Sequence, residues 1–156
     1  MKEFKKILWP TDFSDNASRA LPYVNSLTRK YQAQIYLLYV AQDILNYQHF
    51  WGPPASTIKE WQQKLIQAAE KRLEQICHES LEGCPYYHKI VVVGDPAREI
   101  LRAIEDLGVD LVVMATHGHG WATHEHGYRV FGSVSEEVVK NSPVPVLTIN
   151  PFKPEK

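Results

Sequence analysis

The sequence predicts an α/β protein: an open, parallel sheet with helices on both faces. Two observations carry this. Strand-like and helix-like segments alternate along the whole chain, and the strand-like segments are nearly continuous apolar runs instead of alternating apolar and polar residues. Strands buried on both faces read that way, and parallel sheets bury both faces under their crossover helices.

Each element is justified in turn. Phe4–Pro10, "FKKILWP", is a short strand expected to stop at Pro10, which has no N–H for a ladder. After "TDFS", apolar residues recur at Ala17, Ala20, Leu21, Val24, Leu27 and Tyr31, one face of a helix for which Ser14 or Asp15 is the natural N-cap. "AQIYLLYVA" is a strand buried on both faces. Gln42–Thr57 is a loop carrying Tyr47, Phe50 and Trp51 and punctuated by Gly52, Pro53 and Pro54. Thr57 and Glu60 fit a capping box opening a long helix, with Ile58, Trp61, Leu65, Ala69, Leu73 and Ile76 on one stripe. "HKIVVVG" is the third strand. Asp95 followed by Pro96 is a cap with proline at the first helical position, and Ile100, Leu101, Ile104 and Leu107 continue that helix. "DLVVMA" is the fourth strand, Ser133 with Glu136 a second capping box, and "VPVLTIN" the fifth strand.

The 156 residues are expected to form one domain over 1–150, with 151–156 a short, frayed tail. A formal charge of −1 gives no reason to expect nucleic acid or an anionic membrane as partner. The N-terminus has too short an apolar run for a secretory leader, and nothing approaches the roughly 20 apolar residues of a membrane span. Cys77 and Cys84 match neither a redox pair nor a zinc spacing, so free thiols in a reducing cytoplasm are expected.

In open parallel sheets, ligands bind beyond the carboxyl ends of the strands, where the strand order reverses. The loops of interest are therefore Thr11–Ser14, the chain from Ala41, and Ala115–Ser133. The last of these, "ATHGHGWATHEHGYRVFGS", holds four of the seven histidines and four of the eight glycines. Glycines let backbone N–H groups approach an anion closely, and the helix after Gly132 would point its free N–H groups at that anion, with Ser133 adding a hydroxyl. Asp12, at a strand's carboxyl end, suits a ribose hydroxyl, an adenine edge or a cap on the first helix. His117, His119, His124 and His126 offer imidazoles to a metal such as zinc, although firm zinc scaffolds space their ligands three or four apart. Trp121, Tyr128 and Phe131 suit a lid or a subunit contact. Neither a nucleophile elbow nor a Gly-x4-Gly-Lys-Ser/Thr loop is present, so no catalytic residue is expected, and any ATP hydrolysis would be slow and incidental.

Four stretches in register, "ILWPTDFSDNASRAL", "GDPAREIL", "DLVVMATHG" and "GSVSEEVVKNSPVPVLTIN", make the chain resemble the universal stress protein family. That resemblance implies a flavodoxin-like (adenine nucleotide alpha hydrolase-like) three-layer sandwich with a five-stranded parallel sheet of order 3-2-1-4-5. It also implies a homodimer paired through the last strand. Members that bind ATP resemble Gly, two residues, Gly, nine residues, Gly, then Ser or Thr. Carried over, the adenosine residues are Pro10, Thr11, Asp12 and Val40, the phosphate residues are Gly118, Gly132, Ser133 and Val134, and Met114 is a further binding residue, with Mg2+ accompanying ATP. This chain departs from the pattern twice: Ala115 stands at the first glycine, and thirteen residues separate Gly118 from Gly132. Two functions follow from the resemblance. One is a cytoplasmic dimer with ATP or a related adenine nucleotide as regulatory ligand. The alternative is a member that binds no nucleotide and acts through a protein partner, with or without Zn2+ in the histidine loop.

Overall fold

The computed structural model describes residues 2–47, 52–81, 86–118 and 131–153. Its elements are β1 (Lys6–Thr11), α1 (Asp15–Ser18), α2 (Leu21–Tyr31), β2 (Gln34–Ala41), a 3-10 turn (Ile44–Tyr47), α3 (Ala55–Ser80), β3 (Tyr87–Val93), α4 (Pro96–Leu107), β4 (Leu111–Ala115), α5 (Ser133–Asn141) and β5 (Val146–Ile149). The five strands form one parallel sheet in the order β3-β2-β1-β4-β5, as the resemblance implies.

Side-chain alternation along the strands divides the core in two. Ile7, Trp9, Ile35, Leu37 and Val113 pack on one face with Val24 of α2 and Leu73 and Cys77 of α3. Leu8, Leu38, Val112 and Met114 pack on the other with Ile100 and Ile104 of α4 and Val138 of α5. Two helix starts follow the sequence closely. Ser14 Oγ accepts the Ala17 N–H at 3.1 Å, and Asp95 accepts the Arg98 N–H at 3.0 Å with Pro96 just inside the helix.

Five expectations are corrected. First, β1 does not stop at Pro10 but runs through it to Thr11, with Pro10 opposite Leu38. Gln34 N–H donates to Lys5 O and Asp110 N–H to Lys6 O, so odd residues of β1 bond β2 and even ones face β4. Pro10 is even, and the β1–β4 pairing ends at Leu8, so no partner is lost at its nitrogen. Second, the first helix is split. Pro22 has no N–H to return to Ser18 O, and α1 and α2 meet through the tighter bonds Ala20 N–H to Ala17 O and Tyr23 N–H to Ala20 O.

Third, neither capping box forms. α3 starts two residues before Thr57, after Pro54, and α5 takes Gly132 as its N-cap, which places Ser133 inside the helix. Fourth, the buried stripe of α3 runs through Ile58, Gln62, Ala69, Leu73 and Cys77, and Trp61 and Leu65 lie on the adjoining outward stripe. Gln62 turns inward because its Oε1 accepts the Ile44 N–H at 2.9 Å, tying α3 to the turn after β2. Fifth, the tail is not frayed at its start. Pro151 is buried, and Asn150 Oδ1 accepts the Phe152 N–H at 3.0 Å, closing a turn on the end of β5.

Candidate functional site

The sheet's order reverses between β1 and β4, and there the ladder is short. Only Ile7 and Leu8 pair with Leu111 and Val112, although both strands run on for three more residues. Beyond Leu8 and Val112 the carboxyl ends of β1 and β4 run on without further paired residues. That is where an open α/β sheet binds its ligands.

Asp12 organises the β1 side. Its Oδ1 accepts the Ser14 N–H at 3.0 Å and the Ser14 hydroxyl at 2.5 Å, and Ser14 in turn caps α1. Its Oδ2 lies against Gly118, where a Cβ added to the glycine would collide with it. Gly118 is therefore a glycine because the Asp12 carboxylate occupies the space of a side chain. Asn16 of α1 completes the link, its Nδ2 reaching Gly118 O at 3.4 Å.

Phe13 follows in a left-handed conformation, with φ 63°, a strained state for a bulky residue. Three contacts hold it. Its ring stacks on Tyr39 of β2 at 4.5 Å between centroids, the Arg72 guanidinium of α3 lies 5.0 Å over it, and Arg72 Nη2 donates to Phe13 O at 3.3 Å. Buried Thr11 adds its Oγ1 as acceptor for the Phe13 N–H at 3.0 Å. Trp9 supports the loop from below, its indole N–H reaching Ala17 O at 3.4 Å.

On the β4 side, Thr116 is the junction. Its N–H donates to Ile149 O at 2.9 Å, and its carbonyl accepts the Gly132 N–H at 2.7 Å. The Ser135 hydroxyl donates to the same carbonyl at 2.5 Å. Gly132 is thus tied to Thr116, two residues before Gly118, which is itself held by Asp12 and Asn16. Gly132 has no side chain to cap α5, so it offers nothing to the amides of Ser133, Val134 and Ser135, which have no carbonyl one turn back within the helix. Those amides and the positive end of the helix suit an anion.

The residues expected to hold adenosine and phosphate come together in part. Val40, Met114 and Val134 pack on the same face of the sheet, while Asp12, next to Thr11 at the carboxyl end of the middle strand, meets Gly118. Ser133 is exposed at the start of α5. Ala115 ends β4 opposite Ile149 and is absent from the positive-φ residues, so its methyl strains no backbone. Asp110 lies away from this cluster, its carboxylate accepting the amides of Lys5 and Lys6 at the opposite end of the sheet.

His117 is buried, its Nδ1 2.7 Å from Thr116 Oγ1 and its ring 5.1 Å from that of Phe152. His119, His124 and His126 lie outside the described residues, as do Phe50, Trp51, Trp121, Tyr128 and Cys84. Among the described residues no cluster of His, Cys, Asp or Glu is arranged to hold a metal ion. Asn16, Phe13, Arg72, Ser135 and Phe152 were not legible as site residues. Each acts through a contact distant in sequence, and only the "TDFS" run hinted at any of them.

A parallel sheet of order 3-2-1-4-5, with a polar cluster at the switch point, defines the class of doubly wound α/β proteins. The model of the universal stress protein family matches residues 3–150. Universal stress protein MJ0577 of Methanocaldococcus jannaschii is 34% identical over 94% of this chain and 94% of its own length. The solved structure of hypothetical protein MJ0577 superposes with a TM-score of 0.81 at 32% identity, covering 99% of this chain and all of that one. A universal stress protein family protein from Arabidopsis thaliana, solved with AMP bound, shares the fold at 18% identity and a TM-score of 0.59, covering 94% of this chain and 91% of its own. This chain belongs to the universal stress protein family.

Proposed function

We propose that this chain binds ATP or a related adenine nucleotide as a regulatory ligand, as a cytoplasmic homodimer paired through β5 that serves the stress response. The observation that carries the reading is the convergence of three elements on one point. The Thr11–Asp12 end of β1, Gly118 after β4 and the uncapped amino end of α5 are all joined through Asp12 and Thr116. The residues fit the ligand's chemistry. Backbone amides of Ser133, Val134 and Ser135 suit phosphate oxygens, and the exposed Ser133 hydroxyl adds a donor. The half-buried Val40 and Val134 beside Met114 suit an adenine ring, and Asp12 suits a ribose hydroxyl. Mg2+ would enter with the phosphates. The AMP bound to the Arabidopsis relative supports adenine as the base. Leu147 of β5 and Val139 of α5, both apolar and exposed, support pairing along that edge.

Native mass spectrometry of the untagged protein with and without ATP and Mg2+ tests both halves of the reading. A dimer that gains about one nucleotide per chain is the expected result. A dimer that ignores ATP would remove the nucleotide and leave the reading of a protein that acts through protein contacts.

A further inference from the structure

The turn after β5 has no part in the nucleotide site as drawn so far, yet it is built into the same junction. Asn150 Oδ1 accepts the Phe152 N–H at 3.0 Å, Lys153 N–H reaches Asn150 O at 3.4 Å, and Pro151 is buried. The turn thereby seats the Phe152 ring 5.1 Å from the His117 ring at a tilt of 54°. Phe152 remains 56% exposed, whereas His117 is 5% exposed, so the phenyl ring acts as a cover and the imidazole as what is covered. His117 stands between the two attachment points of the candidate phosphate loop. It precedes Gly118, and its Nδ1 is 2.7 Å from the hydroxyl of Thr116, whose carbonyl holds Gly132 and Ser135.

We propose that the turn after β5 is a working part of the nucleotide site, with Phe152 as a positioning residue that fixes His117 and, through it, Gly118 and the amino end of α5. The inference rests on the nucleotide reading above. A phosphate site made of backbone amides binds well only if those amides are held in place beforehand. Here the segments that supply them are fastened at Thr116 and at the residue after it, and the Phe152 ring lies against that residue. Removing the ring uncovers the imidazole and takes away one of the contacts that hold His117 in place. The loss falls at Gly118 and Gly132, not in the core, because Phe152 is 56% exposed and its ring contact is with His117, outside both core clusters.

The full-length protein, Phe152→Ala and Phe152→Trp are compared by two readouts: the amide NMR signals of Gly118, Gly132 and Ser133, and calorimetric titration with ATP and Mg2+. In Phe152→Ala the three amide signals shift, and the ATP dissociation constant rises roughly threefold to tenfold, the scale on which residues off the ligand modulate binding. Phe152→Trp keeps a ring over His117 and stays near the parent in both. A role confined to stability would lower the melting temperature without moving the dissociation constant. Unmoved amides in Phe152→Ala overturn the proposal, and so do shifted amides with unchanged ATP affinity. A parent protein that takes up no ATP overturns the nucleotide reading itself, while the amide shifts still decide whether the tail is coupled to the loop.

Discussion

Asp12 ties the loop after β1 to Gly118 after β4. One carboxylate oxygen gathers the Ser14 amide and hydroxyl, and the other fills the space beside Gly118. Gly118→Ala therefore forces a methyl into a carboxylate, and the loop must shift or Asp12 must abandon Ser14. Overpacking of this kind costs about 1–3 kcal/mol. Chemical denaturation of Gly118→Ala should show a loss in that range, with nucleotide affinity falling alongside; a variant as stable as the parent would mean that the Asp12–Gly118 contact is not the close fit described. The importance of Asp12 and Gly118 was legible in the sequence, through the loop positions and the resemblance. The reason for Gly118 was not. Nothing in "THG" says that the side chain it must avoid lies about a hundred residues earlier, since such close approaches exist only once β1 and β4 are neighbours.

The amino end of α5 carries the claim at the scale of an element. The Ser133–Glu136 spacing reads as a capping box, and had it formed, the serine hydroxyl would occupy the amides that a phosphate needs. The cap lies one residue earlier, at a glycine, and gives them no side-chain partner among the described residues. Ser133→Glu separates the two roles because its effects have opposite signs. A carboxylate in the first turn stabilises a helix by about 0.3–1 kcal/mol, yet it repels the phosphates of a nucleotide. Thermal denaturation should show a melting temperature equal to or above the parent's, and titration should show nucleotide affinity lost. A variant that binds ATP like the parent would remove α5 from the site. The error at Ser133 and those at Pro10 and Thr57 have a common origin. Boundary signals are local, whereas the actual boundaries were set by pairing: β1 runs past Pro10 because the proline faces a side where the ladder has already ended. The alternation of apolar strands and amphipathic helices depends on burial across the whole sheet, and it predicted the parallel architecture, while the strand order came from the family resemblance.

At the scale of the molecule, the two faces of the sheet do different work. The face under α2 and α3 is closed by Trp9, Leu73 and Cys77, and the opposite face presents Val40, Met114 and Val134 toward the switch point. Cys77 reports on the closed face. It is 1% exposed, and burial pushes its thiol from 9.0 up to about 11. Since the folded state holds this proton more tightly than the unfolded one, the contribution to stability is complete below pH 9 and is lost as pH rises toward 11. The stability gap between the parent and Cys77→Ala should therefore narrow by on the order of 2 kcal/mol across that window, as measured by urea unfolding at stepped pH. A gap that stays constant would mean that the thiol is not sealed from solvent. The central claim concerns the other face, and one measurement tests it most directly: calorimetric titration of the unmodified chain with ATP in the presence of Mg2+. Saturable binding of about one nucleotide per chain is the predicted result. A flat titration at ATP concentrations in the millimolar range would contradict it.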